Sequence, residues 1–155
     1  MVLAWLVPAN AAERDVGARV AYQLSDQGAG LATRLHVAVR PIAHVAVGAY
    51  GEASPFFSPI LAKCGGCVPD PVRPWRAGGF VEAHFQPTAS VDPFASVAVG
   101  FVHTRTTAPD VEVVGGVHWV VGAFAAGPFA GWVFGTADNQ PRRMLMAGGS
   151  GRFVF

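Results

Sequence analysis

Apolar and polar residues alternate with a period of two along most of this chain. Val16, Ala18, Val20, Tyr22 and Leu24 fall on one face, with Gly17, Arg19, Ala21, Gln23 and Ser25 on the other. Asp26–Gly30 reads as a turn, after which Leu31, Thr33, Leu35, Val37 and Val39 oppose Ala32, Arg34, His36, Ala38 and Arg40. Pro41 ends that run, and over His44–Glu52 the residues Val45, Val47 and Ala49 oppose Tyr50 and Glu52. The alternation pauses over Ala53–Gly78 and then resumes. Val81, Ala83 and Phe85 oppose Glu82, His84 and Gln86; Ala95, Val97, Val99 and Phe101 oppose Ser96, Ala98 and Gly100. Val111, Val113, Val117, Trp119 and Val121 oppose Glu112, Gly116 and His118. Phe129–Thr136 is apolar on both faces, so its phase stays open. Met144–Phe155 sets Leu145, Ala147, Phe153 and Phe155 against Ser150 and Arg152. A helix would scatter these charges around its circumference, whereas a strand collects them on one side. The pattern predicts eight strands of roughly 8–12 residues, the length a tilted strand needs to cross a bilayer.

Alternation alone does not say which face meets water. A soluble antiparallel barrel turns its apolar faces inward, while a membrane barrel wears them as an outer belt around a polar interior. The apolar face carries no Asp, Glu, Lys or Arg along any strand of assignable phase, and an arginine facing lipid at the midplane costs about 2–4 kcal/mol. The other face sets Gly, Ala and Ser between its charges, as a narrow lumen requires. A sheet with lipid on its outside must also close, because open edges find no partners in hydrocarbon. The expected fold is therefore all-β: an eight-stranded antiparallel up-and-down transmembrane β-barrel.

Composition agrees. The 155 residues suggest one domain and are 52% hydrophobic with only 14% charged, and the mean hydropathy is +0.37. A net charge of +1 without a block of like charges leaves nucleic-acid binding no electrostatic footprint. Val113–Ala137 runs 25 residues without a charged side chain, and Gly127, Gly131 and Gly135 have the spacing of a helix-dimer face. Its six glycines, His118, Pro128 and many Val, Phe and Trp read instead as two strands joined at Ala125–Pro128. At the front, the apolar run of Met1–Ala11 ends in Ala9-Asn10-Ala11, a small-x-small cleavage pattern, although a basic n-region is missing. Residues 1–11 are expected to be a shortened signal peptide, Ala12 the mature N-terminus, and 12–155 a single barrel domain.

The ending, "GSGRFVF", places two aromatics in alternation at a chain terminus. With this, the chain resembles the small eight-stranded outer-membrane barrels of Gram-negative bacteria, the OmpA/OmpX-like group. The resemblance covers Val16–Phe155 as pattern rather than residue identity. It implies that Phe153 and Phe155 form the C-terminal signal read by the barrel-assembly machinery. It also implies a monomer surrounded by outer-membrane lipid and lipopolysaccharide, with both termini in the periplasm. The long connection Ala53–Gly78 then faces outside. Cys64 and Cys67, the only cysteines, are expected to form a local disulfide there, since the compartment is oxidising. A metal site would need further ligands nearby. Trp75, with Arg73 and Arg76, is a candidate loop contact to lipopolysaccharide phosphates or a partner.

The lumen face holds Arg19, Arg34, Arg40, Glu52, Glu82, Glu112 and Arg152. Glu52, Glu82, Glu112 and Arg34 are expected toward the outer end, with Arg34 bridging to Glu52 or Glu82. Arg19, Arg40 and Arg152 lack acidic partners on the strands as drawn and should reach periplasmic water. His36, His84 and His118, at similar depths, are expected to be hydrogen-bonded plug residues rather than metal ligands. No cofactor is indicated. The expected function is a non-enzymatic barrel with a polar, side-chain-filled interior, serving envelope integrity or surface interaction through its long loop. Passive ion conduction through that lumen is a variant. One alternative is a lipid A-modifying enzyme, for which His103, Thr104, Thr106 and Glu112 are the sole candidate cluster. The other is a soluble lipocalin-like binder of a small apolar ligand.

Overall fold

The computed structural model describes residues 8–25, 28–55, 58–59, 73–137 and 140–155. They form the strands β1 (Pro8–Ser25), β2 (Gly28–Ile42), β3 (Val45–Ala53), β4 (Ser58–Pro59), β5 (Trp75–His84), β6 (Val91–His103), β7 (Thr107–Val121), β8 (Phe124–Ala137) and β9 (Gln140–Val154). Neighbouring strands pair antiparallel in the order β1-β9-β8-β7-β6-β5-β3-β2-β4, and β1 also pairs with β2, so the sheet closes. Eight strands make the barrel. β4 only adds two residues against Gly28 and Ala29 at the end of β2.

The seam between β1 and β9 runs unbroken from Asp15↔Val154 to Ser25↔Met144, passing Gly148, Gly149 and Gly151 in register. One barrel end carries the long β3–β5 connection (the loop end). The other carries the turns at residues 43–44 and 122–123 together with the C-terminus (the terminal end).

The apolar faces point outward. Val20, Leu35, Val37, Val99, Phe101, Trp119 and Val121 are all more than half exposed; the outward-facing arginines of the described strands, Arg14 and Arg143, stand near strand ends. The arrangement of a soluble binder with an apolar interior pocket is thereby reversed. Valine and the aromatics suit this pleated surface, because their stiff side chains pack along neighbouring strands.

Three expectations are corrected. The barrel strands are 9–18 residues long rather than 8–12, because charged residues just ahead of the apolar runs continue the inward phase. β5 begins at Trp75, so the connection from β3 ends four residues before Gly78. The hairpin of Val113–Ala137 turns at Gly122–Ala123, not at Ala125–Pro128: Gly122 adopts φ 60°, which a side chain disfavours. Pro128 lies within β8, facing out, where the ladder to β7 misses rungs between Gly116↔Phe129 and Trp119↔Ala126; proline has no N–H to donate.

That turn also sets the phase of β8. Ala125, Phe129 and Val133 are buried inward, with Gly127, Gly131 and Gly135 between them, while Phe124, Trp132 and Phe134 face out. The glycine spacing that suggested a helix face is thus an alternation of large and absent side chains inside a narrow barrel. Two apolar clusters share the lumen with the charges. One groups Phe94, Phe129, Val133, Met144 and Met146 with Ala21 and Val114; the other groups Tyr50 and Phe80 with Ala38, Ala46 and Ala98.

Candidate functional site

The lumen is the only place in the described residues where charges gather. Six arginines (19, 34, 40, 76, 142 and 152) and six carboxylates (Asp15, Glu52, Glu82, Asp92, Asp110 and Glu112) are buried there. Burying an ion costs several kcal/mol unless it is paired and hydrogen-bonded, so equal numbers are what a filled lumen demands.

Toward the loop end, Glu52 binds two arginines and Glu112 three. Arg34 donates through Nε and Nη2 to Glu52 Oε2 at 3.0 and 2.9 Å. It also donates through Nη1 to Glu112 Oε1 at 2.7 Å and through Nη2 to Glu112 Oε2. Arg76 Nη1 reaches Glu52 Oε1 at 3.1 Å and Glu112 Oε2 at 2.9 Å, and its Nε pairs with Asp110. Gln23 Nε2 donates to Glu52 Oε1 at 2.8 Å, and Ser54 Oγ donates to Gln23 Oε1 at 3.1 Å. The Arg34 guanidinium lies 4.0 Å from the centre of the Tyr50 ring, which adds a cation–π contact.

Below this layer Arg19 joins the two halves. It pairs with Glu82 through Nη2 and with Glu112 through Nη1 at 3.5 Å, and its guanidinium stands 5.4 Å from the Phe129 ring centre. Toward the terminal end, His84 is fully buried. Its Nδ1 lies 2.8 Å from Asp92 Oδ2, and Arg152 Nη1 and Arg40 Nη2 approach its Nε2 at 2.6 and 3.2 Å. Glu82 Oε1 also lies 3.1 Å from Nε2, so two guanidiniums and two carboxylates converge on this one imidazole. Arg152 Nη2 donates to Asp92 at 3.1 Å, and Arg40 Nε donates to Asp15 at 3.2 Å.

These positions revise the sequence reading. Glu82 lies in the terminal half, because β5 descends from Trp75 to His84; Arg34 therefore meets Glu52, one of the two partners considered, and Glu112 in place of Glu82. Arg19, Arg40 and Arg152 do not reach out to solvent but hold carboxylates within the lumen. Arg76 belongs to the lumen and not to the loop. Trp75, its neighbour in sequence, faces out with its ring stacked on His103 at 5.4 Å, and Arg73 is exposed. Cys64 and Cys67 lie outside the described residues.

The histidines do not form one set. His36 packs edge-on against Phe80 at 5.5 Å, away from His84. His118 stacks on Phe94 at 4.3 Å and bonds Ser150 Oγ at 2.8 Å. Ligand atoms of Glu82, His84 and His118 do come within 4.8 Å of one another. Two guanidiniums already meet the same Nε2 of His84, however, and a metal cation there would have to displace them.

Asp15, Asp92, Asp110 and Arg142 were not anticipated as lumen residues. Their parity was the available signal: Asp15 continues the phase of Arg19, Asp92 that of Ser96, and Asp110 that of Glu112. The hydrolytic cluster is not assembled. His103 faces outward with Nδ1 2.9 Å from Thr107 Oγ1, whereas Glu112 is fully buried inside. At the terminal end Phe153 packs on Phe124 at 4.8 Å and on Phe155 at 6.0 Å. Phe155 closes the seam by exchanging backbone hydrogen bonds with Arg14 at 2.8 and 2.9 Å.

No protein-family model matches the sequence, and no curated protein does. Solved structures share the fold. Neisserial surface protein A is 14% identical, with a TM-score of 0.70 over 92% of this chain and 96% of that one. The N-terminal β-barrel domain of Pseudomonas aeruginosa OprF is 12% identical, with a TM-score of 0.58 over 91% and 97%. The outer membrane protein AlkL, solved in lipid bilayers, is 13% identical, with a TM-score of 0.58 over 97% and 95%. The fold, with its apolar belt outermost, defines the class: a transmembrane barrel of the small eight-stranded outer-membrane type. The chain is accordingly a protein of the bacterial outer membrane.

Proposed function

We propose that this protein is a non-enzymatic outer-membrane barrel with a closed lumen. It serves envelope integrity and presents its β3–β5 connection at the cell surface, with the loop end outward and the terminal end in the periplasm. The observation that carries this reading is Glu112 of β7, which holds arginines from β1, β2 and β5 and so ties opposite walls across the bore. The gaps left beside this lattice are small. One lined by Arg76, Asp110, Arg142 and Met144 measures about 10 Å³, room for roughly one water.

Planar bilayers containing the folded protein are expected to show no stable conductance steps, and liposomes no uptake of small sugars. Steady conductance by the unmodified protein would replace this reading with that of a pore. Around the barrel we infer a monomer contacting envelope lipid and, during biogenesis, the barrel-assembly machinery. Cys64 and Cys67 form a disulfide in this reading, detectable as a mass shift on reduction. Cleavage before Ala12 leaves Glu13–Ser25, the part of β1 in continuous register with β2, and intact mass of the exported protein tests it.

A further inference from the structure

We propose that His84 is an acid-operated latch in the terminal half of the lumen: a proton taken up from water at Nε2 exchanges the guanidiniums of Arg152 and Arg40 for the carboxylate of Glu82.

The side chains of His84 and Asp92 are wholly inaccessible to solvent. His84 Nδ1 lies 2.8 Å from Asp92 Oδ2, and an ionised carboxylate only accepts, so this nitrogen keeps its proton in either state of the ring. Nε2 is contested. Arg152 Nη1 at 2.6 Å and Arg40 Nη2 at 3.2 Å only donate, while Glu82 Oε1 at 3.1 Å only accepts. One nitrogen cannot serve both. The neutral ring accepts from the guanidiniums, and Glu82 keeps Arg19. The imidazolium donates to Glu82 and repels the guanidiniums. Both sets of partners already stand within reach, so the exchange needs side chains to move and no strand to shift.

Charge decides which set holds. Six buried arginines face six buried carboxylates among the described residues, so the lumen is balanced while its imidazoles are neutral. A proton on His84 adds a positive charge beside two guanidiniums, where a low dielectric magnifies repulsion. Arg152 of β9 flanks both ring nitrogens, Arg40 arrives from β2, Asp92 from β6, and Glu82 from the same strand. The His118 ring of β7 lies 6.4 Å away, and His44 Nδ1 meets the His84 carbonyl oxygen at 2.8 Å. Arg19 and Asp15 of β1 act one step removed, through Glu82 and Arg40. Once displaced, Arg40 keeps Asp15 and Arg152 keeps Asp92. Both guanidiniums therefore have an anchor to turn on.

The test is NMR of the full chain folded in detergent micelles, isotope-labelled at histidine and arginine, from about pH 8 to about pH 4, a span that includes the imidazole range. His84 Nδ1 is expected to stay protonated while Nε2 gains its proton on acidification. The Nε–H signals of Arg152 and Arg40 should shift along the same curve, and that of Arg34, held by Glu52 in the loop-end lattice, should not. H84Q should abolish the arginine step and H36Q should keep it. E82Q, which removes the acceptor of the protonated ring, should move the step down by about one pH unit. An unchanging Nε2, an arginine step that survives in H84Q, or a step unmoved in E82Q would overturn the latch. So would an equal step in Arg34, which reports loosening of the whole lumen. Heat-dependent gel mobility checks that each variant is a folded barrel, and E82Q carries the test where H84Q does not assemble. The result does not depend on which way the barrel faces or on whether it conducts, so it stands apart from the closed-lumen reading.

Discussion

Arg34 and Glu112 stand 78 residues apart in the chain and meet through both terminal guanidinium nitrogens and both carboxylate oxygens. Neither is exposed: the side chains are 3% and 1% accessible. The pair ties β2 to β7 across the lumen and shares its carboxylate with Arg19 and Arg76, which makes Glu112 the residue on which the loop-end lattice most depends.

Glu112→Gln should therefore be costly. It keeps the shape but leaves buried guanidiniums short of countercharge, and breaking a buried pair in this way costs about 3–5 kcal/mol. Urea unfolding in detergent or bilayers reads the loss directly. In a cycle with Arg34→Gln, a coupling energy of at least about 1 kcal/mol is expected for residues in contact. Additive effects would mean that the pair does not interact as its geometry indicates.

Lipid faces the apolar side, and a charge placed there should show it. Val97→Arg on β6 exchanges a 48% exposed valine for a cation. The expected cost is about 2–4 kcal/mol if the site lies at the midplane, measured by refolding into bilayers. An unchanged unfolding midpoint would argue that water, not hydrocarbon, covers this wall.

Glycines of the last two strands should separate by face. A Cβ on Gly131 would come within 2.5 Å of Val114 Cγ1 and 2.7 Å of Val114 Cα, inside the barrel. Gly131→Val is expected to cost about 1–3 kcal/mol through overpacking. At Gly149, facing out, a Cβ would meet nothing within 4 Å, and Gly149→Val should change stability by no more than about 0.5 kcal/mol. The reverse order in folding yield would mean that β8 or β9 has the opposite phase.

Deleting Phe155 removes the two backbone hydrogen bonds to Arg14 and the ring beside Phe153. A chain end of this kind contributes little to global stability, so refolding in detergent should proceed nearly as in the full chain. Assembly in cells, followed as the heat-modifiable band in outer-membrane fractions, should fall several-fold if the terminal aromatic is read as a signal. An unchanged band would assign Phe155 to the seam alone.

The amino-acid sequence determined the class of this protein. A period of two that puts Val16 to Leu24 on one face and Arg19 among small residues on the other already requires strands. The lack of charge on the apolar faces requires that they face lipid, and lipid on one side requires closure. Lumen residues such as Arg34, Glu52 and His84 followed from parity alone. The tertiary structure decided what parity cannot carry. Strand ends are not legible from parity, because Asp15, Asp92 and Asp110 are polar and read as turn residues until closure buries them. Once β5 began at Trp75, Glu82 moved to the terminal end and Arg76 into the lumen, and the partners of Arg19, Arg40 and Arg152 appeared with them. The phase of β8, apolar on both faces, was set by the turn at Gly122. Alternation fixes which side of the wall a residue takes, a local property of the backbone. Its depth and its partner depend on register between strands far apart in sequence, which exists only when the barrel closes.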